Sequence, residues 1–328
     1  MRTLIIWGAP VLALLAAFWL SLFCYSAIPI SPVSALHALF PSSTPPLSEA
    51  LVRNLRLPRS LVALLIGASL ALAGTLLQTL THNPLASPSL TGINSGAALA
   101  IALTSAFSPM LLSGYSIAFI AAAGGGLAWL LVMLAGGGWR QEPDRNKLIL
   151  AGIALSALCM ALTRITLLLA EDHAYSIFSW LAGGIAHVRW AEFWQLFPFV
   201  LVIIPAMLLL ANALNLLNVS DVAAHTLGVN LFQLRLTVNI GVLVLVGACV
   251  SVAGPVAFIG LLMPHLARAW SGHDQRKLLP MSLLMGATFM LLADILARAL
   301  AWPGELPAGA VLALIGAPCF VWLARRRG

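Results

Sequence analysis

The chain has 328 residues, of which 61% are hydrophobic and only 8% are charged. Soluble domains are about 45–50% apolar and about 25% charged, so this composition excludes a soluble globule and predicts a protein surrounded by membrane lipid. The formal charge of +7 fits basic residues in cytoplasmic loops, and we expect no nucleic-acid partner. The four cysteines are scattered without a CxxC pair, so neither a disulfide framework nor a zinc site is indicated.

Long apolar segments follow one another along the whole chain. Because a helix needs about 20 apolar residues to cross the hydrocarbon core, they predict an all-α polytopic membrane protein with about ten transmembrane helices. The first run is too long for a signal peptide and lacks a convincing cleavage site, so it is interpreted as a span. The predicted spans are 4–27, 59–81, 92–108, 114–135, 148–170, 192–211, 234–253, 256–270, 280–300 and 307–323.

Basic residues orient these spans, because cytoplasmic loops carry an excess of lysine and arginine. Placing both termini in the cytoplasm puts most of the basic residues inside: Arg2, Arg140, Arg145, Lys147, Arg235, Arg268, Arg276, Lys277 and Arg325, Arg326 and Arg327. The outer side then holds Arg53, Arg56, Arg59, Arg164, Arg189 and Arg298. Arginines outside run against the rule, which suggests that some have a function.

Small residues and a proline recur at an offset of 180 residues. The pairs are Gly67 with Gly247, Ala68 with Ala248, Ala73 with Ala253, Gly74 with Gly254, and Pro84 with Pro264. Since the second span corresponds to the seventh, the copies would run in opposite directions, as in the inverted repeats of transporters. The alternative is chance similarity among small residues that let helices pack closely. We predict one transmembrane domain over 1–328, with repeat halves at about 57–170 and 232–323.

Catalytic motifs are missing from the sequence. Neither lysine follows a glycine-rich loop, so the chain has no Walker A site, and no GxSxG or HExxH pattern occurs. The seven histidines show no paired spacing typical of a metal site. We therefore expect no enzyme activity, no catalytic residue and no bound metal.

Six segments, distributed in order along the chain, carry a specific resemblance. They are RLPRSLVALLIGASLALAG (56–74), THNPLASPSLTGINSGAALA (81–100), AHTLGV (224–229), GPVAFIGLLMPHLAR (254–268), ADILAR (293–298) and ELPAGAVLALIGAPCFVWL (305–323). Together they resemble the iron-siderophore and vitamin B12 permease family of ABC importers. Within that family, RNL at 53–55 and LTRITLLLAEDHAY at 162–175 make the chain most similar to the ferric dicitrate permease subunits.

The resemblance implies a subunit of a bacterial inner-membrane importer for an iron chelate. It implies ten helices in each of two permease subunits, the second being a paralogue of this chain. Two cytoplasmic ATPases would bind below and a periplasmic binding protein above. The chain itself would hold no cofactor, since ATP is bound by the partner subunits.

Arginines on the predicted outer side are candidates for docking the binding protein. By resemblance, Arg56, Arg59 and Arg298 would receive its carboxylates, which a planar guanidinium pairs bidentately. The alternative is that they extend to the lipid headgroups. Asp294 and Arg298, four residues apart, could also form a structural ion pair, or Asp294 could relay protons in a secondary transporter.

Two further sites are predicted on the cytoplasmic side. The NPLA turn ends the second span, because proline cannot continue a helix, and by resemblance Asn83 and Leu85 are gate residues. The polar segment 215–230 resembles a coupling helix that fits a groove on the ATPase, with Asp221, His225 and Gly228 as its key residues. The alternatives are a plain helix terminator and an ordinary amphipathic loop helix.

Arg164 lies inside the fifth span, where a charge is costly and usually faces a wet cavity or a partner. It could attract an anionic chelate, or it could pair with Glu171 or Asp172. The rival functions that remain are an ion-coupled secondary transporter and a passive channel. A scarcity of intramembrane carboxylates disfavours the first, and a channel would transport without a binding protein.

Overall fold

The computed structural model describes residues 2–26, 28–40, 46–89, 92–111, 115–137, 145–169 and 180–325. All regular structure in these ranges is helical, which confirms the predicted all-α class. A π-helical turn (Val52–Arg56) leads into the fourth helix, and a 3-10 turn (Pro109–Leu111) follows the fifth. The α-helices are α1 (Arg2–Phe23), α2 (Pro32–His37), α3 (Leu47–Leu51), α4 (Leu57–Thr81), α5 (Ile93–Phe107), α6 (Tyr115–Gly136), α7 (Arg145–Leu169), α8 (Trp190–Leu209), α9 (Ala211–Val219), α10 (Asp221–Thr226), α11 (Leu231–Ala253), α12 (Ile259–Ser271), α13 (Gln275–Ala301) and α14 (Ala308–Arg325).

Each predicted span coincides with one of these helices. Seven helical stretches in the described residues are long and apolar enough to cross a membrane, which makes the chain a multi-pass membrane protein. Helices α5 and α14 are apolar but shorter, and α12 has only 13 residues. Ten crossings, the orientation of the termini and the repeat halves therefore stay predictions.

Helix α4 lies at the centre of the bundle. In the continuous helical stretch Leu47–Thr81, 83% of the apolar window is buried, against 22% for the window in α1. Glycines allow this close packing: a Cβ at Gly67 would overlap the carbonyl oxygen of Gly286, and one at Gly74 would overlap that of Gly260. Helices α4, α12 and α13 consequently meet backbone to backbone, as small residues permit in membrane bundles.

Two irregular segments interrupt the helical pattern. Helix α11 ends at Gly254 (φ +71°), and α12 begins only after Phe258 (φ +68°), which explains the glycines and prolines in the predicted eighth span. Irregular backbone within a membrane must find partners in the protein, and the Asn94 side chain donates to the Val256 carbonyl oxygen at 3.2 Å.

Charged and polar side chains gather at opposite ends of α4 and α13, which run antiparallel. One end, the Arg59 end, holds Arg59, Asp294, Arg298 and Glu305. The other, the Asp274 end, holds His82, Asn215, Asp274 and the pair of Asp221 with Arg235. All sites predicted from the sequence, except Arg164, lie at one of these two ends.

Candidate functional site

A buried ion cluster joins α4 to α13 at the Arg59 end. Arg59 reaches Asp294 through Nε (3.0 Å) and Nη2 (2.8 Å), and its Nη1 lies 2.8 Å from Glu305 Oε2. Arg298 Nη2 lies 3.1 Å from the other oxygen of Asp294, which confirms the predicted i,i+4 pair. Arg59, Asp294 and Arg298 are 5%, 1% and 1% exposed, so the cluster balances charges away from water.

Arg298 also closes the end of α1. Its Nη1 donates to the carbonyl oxygens of Ser21 (3.1 Å) and Cys24 (2.9 Å), which lie in the last turn of α1 and just beyond it. A cation is favourable at a helix C-terminus, where carbonyl groups lack intrahelical partners. Arg298 thus joins α13 to α1 directly, and Asp294 links it to Arg59 on α4.

Two of the three predicted docking arginines are therefore occupied within the chain. A carboxylate from another protein could reach Arg59 only by replacing Glu305, whose side chain is 38% exposed, or Asp294. Arg298 lies deeper still, with carbonyl groups and Asp294 around it. The sequence predicted neither Glu305 nor the Arg59–Asp294 contact, since 235 residues separate the two partners.

Arg56 differs from both of them. It is half-buried, lies in the π-helical turn and donates one bond, from Nη2 to the Tyr25 carbonyl oxygen at 3.3 Å. Its Nη1 has no hydrogen-bond partner among the described residues. That nitrogen is itself buried, so among the three arginines Arg56 carries a donor left unsatisfied inside the protein, which costs free energy.

The predicted gate residues form a compact turn at the Asp274 end. The Asn83 side chain accepts a hydrogen bond from the Leu85 backbone N–H (2.9 Å), and its carbonyl oxygen accepts one from Ala86 (3.1 Å). This is the Asx turn that asparagine favours before proline. Asn83 is thereby committed to the turn, while Leu85 remains 39% exposed.

Polar side chains behind the turn hold α4 against its neighbours. Gln78 donates to the carbonyl oxygens of Gly260 (3.4 Å) and Leu261 (3.3 Å) and accepts from Arg268. Gln275 donates to the Thr79 hydroxyl at 2.9 Å. These buried bonds fix the position from which the turn leaves the bundle, and no local sequence signal indicated them.

The predicted coupling segment 215–230 comprises the end of α9 and the short, largely exposed helix α10. Ser220 caps α10 by accepting from Ala223 N–H (3.0 Å), and Asp221 pairs with Arg235 of α11 at 2.7 Å. His225 and Gly228 are both exposed, and Gly228 has φ +84° with open space around it. Val222 and Leu227 are 73% and 66% exposed, so the segment presents apolar side chains as well as polar ones.

Arg164 is exposed near the far end of α7. Its proposed partners Glu171 and Asp172 lie outside the described residues. Helix α7 packs on α5 and α6 and leaves large apolar side chains uncovered, including Leu150 (69%) and Leu168 (75%). Arg164 thus lies on a face that lipid, another subunit or a pathway could cover. No group of three or more metal-ligating side chains occurs in the described part of the chain.

Comparisons with known proteins agree with this geometry. The Fe(3+) dicitrate transport system permease protein FecC of Escherichia coli (strain K12) is 75% identical over 324 residues, covering 99% of this chain and 98% of that protein. The Fe(3+)-citrate import system permease protein YfmD of Bacillus subtilis (strain 168) is 37% identical, covering 85% and 82%.

A solved inward-facing conformation of a metal-chelate type ABC transporter superposes with a TM-score of 0.83 at 32% identity, covering 98% of this chain and 99% of that chain. Residues 13–326 match the FecCD transport family. The match spans the helices that carry both charged ends and the coupling segment, and the chain belongs to the FecCD transport family.

Proposed function

We propose that this chain is a permease subunit that carries ferric dicitrate across the bacterial inner membrane in an ATP-driven importer. The observation that carries the proposal is the 75% identity to an Fe(3+) dicitrate permease over 99% of the chain. Nothing in the described residues offers covalent chemistry, so the chain contributes shape, gating and attachment points. ATP is bound and hydrolysed by separate partner subunits.

The Arg59 end faces the periplasm in this proposal and receives the substrate-binding protein. Arg56 makes the first contact, because it is half-buried whereas Arg59 and Arg298 are buried. Arg59 follows when a carboxylate of the binding protein replaces Glu305, the most exposed member of the cluster. Arg298 supports docking by holding α1 and α13 in place.

The Asp274 end faces the cytoplasm, together with both termini. Two ATPase subunits lie below a pair formed by this chain and a paralogous permease. The groove of one ATPase accepts α10, where Val222 and Leu227 supply apolar contacts beside His225 and the turn at Gly228. Asp221 holds that helix to α11 through Arg235.

Transport then follows alternating access, with the Asn83–Leu85 turn closing the inner mouth. Leu85 is the exposed member of the turn and faces the closing partner, while Asn83 keeps the turn rigid. Arg164 lies along the pathway and attracts the anionic chelate. Direction comes from the different affinities of nucleotide and loaded binding protein for the two states.

The test measures uptake of ⁵⁵Fe supplied as citrate and as two other siderophores in cells that lack this chain. Each assay is repeated with the chain restored and the partner ATPase inactivated in its phosphate loop. We expect that only iron supplied as citrate will require both this chain and an active ATPase for its uptake. Loss of uptake of a different iron chelate would contradict ferric dicitrate as the substrate. Uptake that needs this chain but continues without an active ATPase would contradict ATP-driven transport.

A further inference from the structure

Helix α9, which precedes the coupling helix α10, is anchored into the bundle by apolar burial. Ala211, Leu214 and Leu217 are 7%, 0% and 0% exposed and belong to the main core. Helix α9 packs on α8, α4 and α13 and continues through Ser220 into α10. A displacement of α10 therefore acts on α9 through the chain and on α11 through the Asp221–Arg235 pair.

Polar contacts fasten α9 to the beginning of α13. The Asn215 amide donates to Asp274 Oδ1 at 2.7 Å, and its own Oδ1 accepts from the Gln275 backbone N–H at 2.8 Å. One turn earlier, Asn212 accepts from Arg276 Nε. A side chain that both caps a helix start and binds its capping residue fixes distance as well as orientation.

A separate contact fastens α9 to the end of α4. His82 Nε2 lies 2.9 Å from the Leu217 carbonyl oxygen, and since a carbonyl only accepts, the ring N–H donates. His82 immediately precedes the Asn83 turn and holds the left-handed conformation (φ +47°) that ends α4. Through Asn215 and His82, α9 grips both central helices at the Asp274 end.

We propose that Asn215 is a positioning residue that transmits motion of the coupling segment to α13 and, together with His82, to the gate turn on α4. The inference deepens the proposed function and rests on it. Asn215 holds this place because an asparagine offers a donor and an acceptor at once, and α13 presents the complementary acceptor and donor at Asp274 and Gln275.

The negative charge of Asp274 explains why Asn215 is the donor in the hydrogen bond between these two side chains. Hydrogen bonds from Asn215 and from the Arg276 backbone N–H lower the pKa of Asp274 below its ordinary value of 3.8. The carboxylate at position 274 is thus ionised at neutral pH and accepts from the donor that Asn215 places opposite it. Asn215→Asp would set two carboxylates face to face, and like charges at hydrogen-bond distance repel.

The test uses the complete importer in proteoliposomes, with saturating binding protein loaded with ⁵⁵Fe dicitrate. Iron imported per ATP hydrolysed is measured for the wild type, for Asn215→Asp and for the exchanged pair Asn215→Asp with Asp274→Asn. The exchange restores the hydrogen bond in the opposite direction, because the asparagine at 274 donates to the aspartate at 215, which also accepts from the Gln275 N–H. We expect the ratio to fall at least about fivefold in Asn215→Asp, in the range of typical coupling strengths, and to return to within about twofold in the exchanged pair.

The matched control is Asn218→Asp, which adds the same charge to an exposed position of the same helix, away from the contacts with α13, and should leave the ratio unchanged. If Asn215→Asp fails to assemble, Asn215→Ala removes the same bonds without a charge and is expected to lower the ratio. A wild-type ratio in either variant, or no recovery in the exchanged pair, would overturn the positioning role. A wild-type complex without ATP-dependent import would instead refute the proposed function and the positioning role with it.

Discussion

Replacing Asp294 with asparagine removes the carboxylate that two buried arginines share. Arg59 would retain Glu305, and Arg298 would retain only carbonyl oxygens. The asparagine amide would also direct a donor towards guanidinium donors. Removing one partner from a buried ion pair costs about 3–5 kcal/mol, because the remaining charge stays desolvated.

Comparison with Glu305→Gln isolates the effect of burial on the free energy of unfolding. It removes a partner of the same Arg59 guanidinium, but the Glu305 side chain is 38% exposed and Arg59 keeps Asp294. An exposed pair contributes about 0–1 kcal/mol, so Asp294→Asn should cost several times more than Glu305→Gln.

The free energy of unfolding can be measured by denaturant titration in mixed micelles, followed by the fluorescence of the ten tryptophans. The double variant shows whether the two losses couple, as expected for residues that contact one arginine. Equal losses for Asp294→Asn and Glu305→Gln would refute the reasoning, since they would mean that burial of the cluster does not set its contribution.

Three further predictions concern the proposed sites. Arg56→Glu should weaken binding-protein docking, measured by surface plasmon resonance on nanodiscs, whereas Arg189→Glu, at an exposed arginine, should not; equal effects would contradict the role of Arg56. Gly228→Val should lower assembly with the ATPase, because the backbone angle φ of +84° at this position costs a β-branched residue about 1–2 kcal/mol. Gly228→Asn should be tolerated. Equal yields of ATPase in pull-downs with the two variants would contradict a role for the turn at Gly228. Arg164→Glu should raise the KM for ferric dicitrate uptake without changing docking, and Arg164→Lys should preserve it; an unchanged KM in Arg164→Glu would remove Arg164 from the pathway.

Local patterns predicted the features that local physics controls. Apolar length predicted the helices, and the proline after Asn83 predicted where α4 ends, because proline restricts the residue before it. Helical spacing predicted the Asp294–Arg298 pair. Each of these depends on residues at most a few turns apart.

Local sequence patterns could not predict contacts between residues that are far apart in the chain. Arg59 meets Asp294 across 235 residues, and Asn215 meets Asp274 across 59. Neither pair leaves a periodic signal, since an arginine before a span is explained equally well by lipid headgroups, and an asparagine in a loop helix by water. For Arg59 the antiparallel arrangement of α4 and α13 decides between these explanations, and for Asn215 the packing of α9 against the start of α13 does.

That arrangement also constrains how the importer can move. Helices α4 and α13 have 25 and 27 residues, about 40 Å at 1.5 Å per residue. They are joined by the ion cluster at one end, by the Gly67–Gly286 contact between them and by the Thr79–Gln275 bond at the other end. Sliding one along the other would separate buried charges and break close backbone packing, so the pair should move as a unit. A push that Asn215 delivers at the Asp274 end would then reach the Arg59 end, and release of the binding protein could be linked to gate opening without a separate relay.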